Sequence, residues 1–208
     1  MTLHLPLDRF LGRIGDPSCD VLHVAPDGQM RLDAPTPPVL LCGSFNPLHR
    51  AHGELAQVAE QILGQPVAFE MSVANVDKPP LTRDEIRRRL TQFAWRASVW
   101  LTHAPRFVEK AERFPHACFV VGADTALRIV SPRYYDNDET RMVSALQRIK
   151  ELGCHFLVAC RVDGGGQCWQ RDDLPIPPAY QDLFEGIPLK QFRWDLSSTE
   201  LRARGHTL

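Results

Sequence analysis

Two histidines, His49 and His52, follow the run Gly43-Ser44-Phe45-Asn46-Pro47-Leu48, and near the far end of the chain Ser198, Thr199 and Arg202 follow Ser197. Imidazole, hydroxyl and guanidinium groups share one use, donating hydrogen bonds to anionic oxygens. Their spacing gives each set a setting. Three residues apart, His49 and His52 lie near one face of a first helical turn. Ser197 and Glu200 form a capping box, which places Ser198 and Thr199 in the first turn of another helix, with Arg202 one turn on. A helix start carries unpaired N–H groups and the positive end of the dipole, which suits phosphate. Taken alone, a histidine there would be a cap or loop packing, and the second set a well-capped terminal helix.

The elements that must position these groups are legible in the hydrophobic pattern. Pro38–Cys42 is a short apolar run of the kind that forms a buried parallel strand. Ala51, Leu55, Val58, Ala59, Ile62 and Leu63 mark one face of a helix, and Gly64 stops it. Val67–Val73 is a second strand, so strand, helix and strand make a parallel unit with a right-handed crossover. The loop that leaves it carries Lys78, at a strand end where ligands bind in open α/β sheets. Thr82 and Glu85 cap a helix whose buried side is Ile86, Leu90 and Phe93; Arg83, Arg87, Arg88 and Arg89 crowd it, mostly as a solvated basic face. One of these arginines, near Lys78, is placed to reach a phosphate.

Further strands are predicted at 99–102, 118–121, 155–160 and 192–196, and helices at 107–111, 125–130, 142–152 and 180–184. The strand ending at Val121 runs into Gly122-Ala123-Asp124-Thr125, again a small-residue turn opening a helix, where Asp124 alone would be a plain N-cap. Gly164-Gly165-Gly166 lacks the strand-to-helix context of a phosphate loop and is predicted as a hairpin tip. Residues 1–37 form an N-terminal extension with a hairpin over 22–32 and a Pro-rich link, followed by a main domain over 38–208.

The run Gly43, Phe45, Asn46, Pro47, His49, His52 resembles the signature of the HxGH nucleotidyltransferase superfamily, with Ala51 where that signature has glycine. Ser198-Thr199-Glu200-Leu201-Arg202 resembles the same superfamily's C-terminal phosphate motif, and Gly122-Ala123-Asp124 its ribose-facing turn in adenylyltransferases. The resemblance spans 38 to 205. It implies a Rossmann-like α/β fold, a parallel sheet with helices on both faces. It also implies transfer of a nucleoside monophosphate from a nucleoside triphosphate to a phosphate-bearing acceptor, with His49, His52 and Arg202 as catalytic residues. Gly43, Ser44, Phe45, Lys78, Gly122, Asp124, Ser198 and Thr199 would bind nucleotide and phosphate. Magnesium would come with the triphosphate, with no dedicated protein metal site. The look is closest to nicotinamide- and nicotinate-mononucleotide adenylyltransferases. Trp95, Trp100, Phe107, Tyr134 and Tyr135 are the aromatic candidates to stack on a pyridine ring, each equally at home in a core or a buried loop.

Composition narrows the partners. The 208 residues suffice for one α/β domain, and a net charge of -1 gives no electrostatic argument for nucleic acid. No run is long and apolar enough to span a membrane, and no signal pattern opens the chain, so a cytoplasmic protein is expected. The six cysteines contain no C-x-x-C pair and are expected to be free thiols. Three alternatives remain beside the adenylyltransferase: a cytidylyltransferase acting on an alcohol phosphate, a non-catalytic nucleotide-binding module, and an adenylate-forming ligase, for which the chain is short.

Overall fold

The computed structural model describes residues 5–12, 20–74, 79–162 and 168–192. The elements are α1 (Leu5–Gly12), β1 (Val21–Val24), β2 (Met30–Arg31), β3 (Val39–Cys42), α2 (Arg50–Leu63), β4 (Val67–Ser72), α3 (Arg83–Thr91) and β5 (Val99–Thr102), then α4 (Phe107–Arg113), β6 (Cys118–Gly122), α5 (Ala123–Ile129), α6 (Glu139–Glu151) and β7 (His155–Ala159), and last β8 (Arg161–Val162), β9 (Cys168–Trp169) and β10 (Phe184–Gly186). One eight-stranded sheet has the order β10-β7-β6-β3-β4-β5-β1-β2, and β8 and β9 form a separate antiparallel pair. From β10 through β5 all neighbours are parallel; β1 and β2 run antiparallel at one edge.

The order fixes where a ligand can sit. The chain builds β3, β4 and β5 outward on one side, then returns across β3 to build β6, β7 and β10 on the other. Connections leaving β3 and β6 therefore part in opposite directions and open a crevice at their carboxyl ends. The strands beneath are buried on both faces. Leu41, Phe69 and Leu101 pack with α1, α2 and α3, whereas Leu40, Phe119 and Phe156 pack with α4, α5 and α6. The continuous apolar runs of the sequence arise from this two-sided burial.

Local signals in the sequence are expressed where the backbone needs them. Gly64 ends α2 in the left-handed region at φ 64°, donating its N–H to Glu60 O at 2.9 Å. Thr82 Oγ1 accepts from Glu85 N at 3.3 Å to start α3, and Asp138 does the same for α6. The expected hairpin over 22–32 forms as β1 and β2, and β1 also pairs with β5, so this segment extends the main sheet. β8 and β9 flank the predicted glycine tip, whose own residues lie outside the described ones.

Three features depart from the sequence-based expectations. α1 is new: Leu7 and Phe10 are buried, Phe10 stacks on His103 at 4.3 Å, and His103 Nε2 lies 3.1 Å from Phe10 O. β10 is also new, since Phe184-Glu185-Gly186 has one apolar residue and no alternation, and only pairing with β7 makes it a strand. The cysteines are not all free. Cys160 and Cys168 are joined as a disulfide, with Cα atoms 5.9 Å apart, because the β8–β9 pairing brings them together. Cys42, Cys118 and Cys154 are free, and burial raises all three thiols, Cys118 to about 12. Of the strand expected over 192–196 only Phe192 is described, and the helix after Ser197 lies outside the described residues. No helix among the described residues is long and apolar enough to cross a membrane.

Under the crevice lies a buried ion pair that no sequence signal announced. Lys110 Nζ donates to Glu70 Oε1 at 2.6 Å, and Thr102 Oγ1 donates to the same oxygen at 2.6 Å. All three residues are at most 4 % exposed. Each charge therefore depends on the other for solvation.

Candidate nucleotide site

β3 delivers the turn that carries the two histidines. Gly43 N donates to the main-chain oxygen of Glu70 at 3.0 Å, tying the start of the turn to β4. Glycine is needed at this position because a Cβ would come within 2.8 Å of the Phe45 ring. Phe45 has φ 44° and is 1 % exposed; its ring meets His52, Phe69 and Phe93 edge-on at 5.0–5.3 Å. Its side chain is thus a core plug that seats the turn, and only its backbone is available to a ligand. The Asn46–Pro47 bond is cis. Ser44 is exposed, and Ala51, at the position of the signature glycine, points its methyl into protein at 5 % exposure.

His49 is the N-cap of α2. Its N–H donates to His52 Nδ1 at 3.1 Å, while His52 N donates back to His49 O at 3.0 Å, and the two rings stack at 3.8 Å. An Nδ1 that accepts carries no proton, so His52 is the neutral tautomer with its proton on Nε2, a donor. Burial, with the neighbouring His49 adding to it, pushes His52 down to about 3. Burial also lowers His49, and the charge of Arg161 lowers it further. His49 Nδ1 is buried without a hydrogen-bond partner. The first turn of α2 contains no acidic side chain to offset the dipole. A negative charge is the natural complement of such a helix start.

The neutrality of His52 has a measurable consequence. Its folded-state value lies below the 6.5 of an ordinary imidazole, so folding favours the uncharged ring. Stability from this group is complete above pH 6.5 and is lost as the pH falls from 6.5 to about 3. In proton–carbon NMR spectra, the His52 imidazole should hold its neutral shifts from pH 8 down to 5. A midpoint near 6.5 would contradict the hydrogen-bonded tautomer.

The second strand-to-helix turn lies next door. β6 pairs with β3, so Gly122 ends its strand beside the first turn. Gly122 is the N-cap of α5, and Asp124 sits exposed in the first helical turn rather than at the cap. The structure therefore brings Gly43, Ser44, His49, His52, Gly122 and Asp124 to the carboxyl ends of two adjacent strands. Lys78, Ser198, Thr199 and Arg202 lie outside the described residues.

Of the five aromatic candidates, Trp100 and Tyr135 are core: Trp100 packs on His23 and Phe114, and Tyr135 Oη donates to Ile129 O at 3.0 Å. Phe107 packs between Phe119 and Phe156. Tyr134 faces the Arg128 guanidinium at 5.7 Å, and Trp95 is 81 % exposed after α3. A cavity of about 730 Å³ opens along α2, but of the two turns only Leu48 and His49 line it, and most of the rest of its wall comes from α2, the segments that lead into β4 and β5, and the residues before β3. It is a neighbour of the crevice and not the crevice itself.

Sequence reasoning missed three sets of residues. Arg161, just after β7, sits close enough for its charge to act on both histidines. Glu70 and Lys110 lie beneath the turn. On α3, Arg88 donates to Asn46 Oδ1 at 2.6 Å, Arg89 to Ser44 O at 2.9 Å, and Gln92, the C-cap, holds both Phe45 O and Leu48 N. Asn46 thus braces the turn through its side chain, as its residue type suggests. Arg87 keeps to the exposed basic face, whereas Arg89 is 7 % exposed. The signal for Arg89 was its spacing from Ile86 and Phe93 on the buried side of the helix.

A doubly wound parallel sheet with two open strand-to-helix turns at its switch point defines a class of nucleotide-binding α/β proteins. The cytidylyltransferase-like family model matches residues 40–204, and the chain belongs to that family. Family membership points to nucleotidyl transfer as the chemistry in general. A search of curated proteins finds no match to this chain.

Proposed function

We propose that the protein transfers a nucleoside monophosphate, AMP from ATP, to a phosphate-bearing acceptor such as nicotinamide or nicotinate mononucleotide, with release of pyrophosphate. The observation that carries this reading is the His49–His52 pair. It stands at an undercompensated helix start, with one imidazole held as an Nε2–H donor and the other presenting a buried, unpartnered nitrogen. In the reaction, an acceptor phosphate oxygen bonds to the α-phosphorus, the bond from that phosphorus to the bridging oxygen breaks, and pyrophosphate leaves with the electron pair. The attacking oxygen is already ionised near neutral pH, so the site's contribution is positioning and stabilisation of charge.

The turn and the histidines would face the α- and β-phosphates. Ser198, Thr199 and Arg202 would hold the β- and γ-phosphates, Asp124 the ribose, and Lys78 a phosphate. Imidazole and N–H donors suit phosphate oxygens and not a hard cation, so magnesium fits this site as a passenger of the triphosphate, ligated by phosphate and water. It would supply charge neutralisation there.

The test is a matrix of ATP and CTP against pyridine mononucleotides, phosphopantetheine, glycerol 3-phosphate and phosphocholine, scored by pyrophosphate and product mass. The expected result is ATP with a pyridine mononucleotide. The family's description favours a second reading, CTP with an alcohol phosphate; clear CTP preference would establish it. Silence throughout, with magnesium–ATP still raising the melting temperature, would indicate a non-catalytic binding module.

A further inference from the structure

We infer that Arg89 and Gln92 are positioning residues that set the shape of the phosphate-facing turn, and through it the direction of the turn's N–H donors. The inference rests on the proposed triphosphate site. α3 reaches the turn with three side chains on one face, and two of them take main-chain groups. Arg89 Nη1 donates to Ser44 O at 2.9 Å, and Gln92 Nε2 donates to Phe45 O at 3.0 Å. Gln92 also accepts from Leu48 N at 2.7 Å through Oε1, so one amide spans both ends of the turn. Glu85 holds the arginine in turn: its Oε1 accepts from Arg89 Nε at 2.7 Å, and Arg88, foremost, with Arg89 draws its carboxyl down to about 2.

A trans peptide is planar, with its C=O and N–H pointing in opposite directions. With the Ser44 carbonyl drawn to α3, the N–H of Phe45 is turned away from it. α3 connects β4 to β5 and so lies on the side of β3 remote from β6. The side facing away from α3 is therefore the crevice between β3 and β6, where a phosphate would lie. A donor fixed before the ligand arrives costs no reorganisation when charge develops. Arg89 is buried and held through Nε and Nη1, and the Gln92 amide holds two main-chain groups, so the turn cannot flip these peptides without breaking charge-assisted or half-buried hydrogen bonds.

The experiment measures magnesium–ATP affinity by calorimetry for the wild-type protein, Gln92→Glu and Gln92→Met between pH 8 and 5, alongside melting temperatures. At pH 8 a carboxylate would face the Phe45 carbonyl, accept from Leu48 and donate nothing; affinity should fall about tenfold or more. As the pH falls the carboxyl takes a proton and becomes a donor, so the ratio of Gln92→Glu to wild-type affinity should climb toward one. Gln92→Met keeps the length, loses both hydrogen bonds, and should show the same loss with no pH dependence. Affinity equal to wild type in Gln92→Glu at pH 8 overturns the inference while leaving the proposed function intact. If Gln92→Glu does not fold, undiminished affinity in Gln92→Met does the same. A wild-type protein that binds no magnesium–ATP overturns both.

Discussion

His52→Ala should lower turnover by about a hundredfold or more, the usual effect of deleting one donor aimed at developing charge, while the protein stays folded. The structure says why the effect should be large. His52 is already neutral, already oriented by His49 N at 3.1 Å, and already wedged against the edge of Phe45. The cost to folding should be small, about 1 kcal/mol for a lost cap-type contact, because the His49 N–H is only part-buried at the helix start. Arg202→Ala should behave alike, on the strength of its place in the C-terminal phosphate motif. Steady-state rates of pyrophosphate release, with circular dichroism and melting curves as controls, make the comparison. Normal turnover in either variant would remove that residue from the machinery. Ala51→Gly is the useful contrast: turnover should persist, with about 1 kcal/mol of stability lost to glycine in a helix.

The largest effect on stability should come from Glu70 and Lys110. Glu70→Leu leaves a buried ammonium without its carboxylate, and Lys110→Met leaves a buried carboxylate with the Thr102 hydroxyl and the Cys42 thiol but no countercharge. Each should cost about 3–5 kcal/mol, the penalty for an uncompensated buried charge. The double variant should recover most of that loss, since both desolvation costs vanish together. Urea unfolding of the four proteins closes the cycle. Single variants that lose less than about 1 kcal/mol would mean that water reaches the pair. Because Glu70 O also holds Gly43 N, and Glu70 lies beside Cys42, turnover in the double variant also reports whether the turn needs the ion pair or only the strand beneath it.

Much of this was legible from the sequence because it is local. Apolar runs at 39–42 and 118–121 specify buried strands whatever they pair with. Gly64, Thr82 and Gly153 punctuate helices through backbone conformation and caps, which depend on near neighbours. The strand–turn–helix order around His49 and around Gly122 is a property of a few consecutive residues, and so is the resemblance those residues carry. The pairing of β3 with β6, which sets the two turns side by side, is not local. It follows from the chain crossing back over β3 after β5.

What only the tertiary structure decided is which distant groups meet and what burial does to them. Phe184-Glu185-Gly186 has no strand signal and becomes one beside β7. Cys160 and Cys168 flank a predicted hairpin, yet only the β8–β9 register puts their sulfurs together. Glu70 sits in an apolar strand, where its charge looks misplaced until Lys110 arrives from forty residues away. The basic helix after Lys78 reads mostly as a solvated face, but folding divides it: Arg87 stays outside, while Arg89 is buried and Gln92 half-buried as ties on the turn. The sequence by itself determined the types of the groups proposed to hold phosphate and placed the turns before His49 and at Gly122 at helix starts, since backbone geometry within a turn fixes both. Their protonation and direction were decided in three dimensions, because desolvation and a hydrogen bond's second partner exist only once the chain has packed.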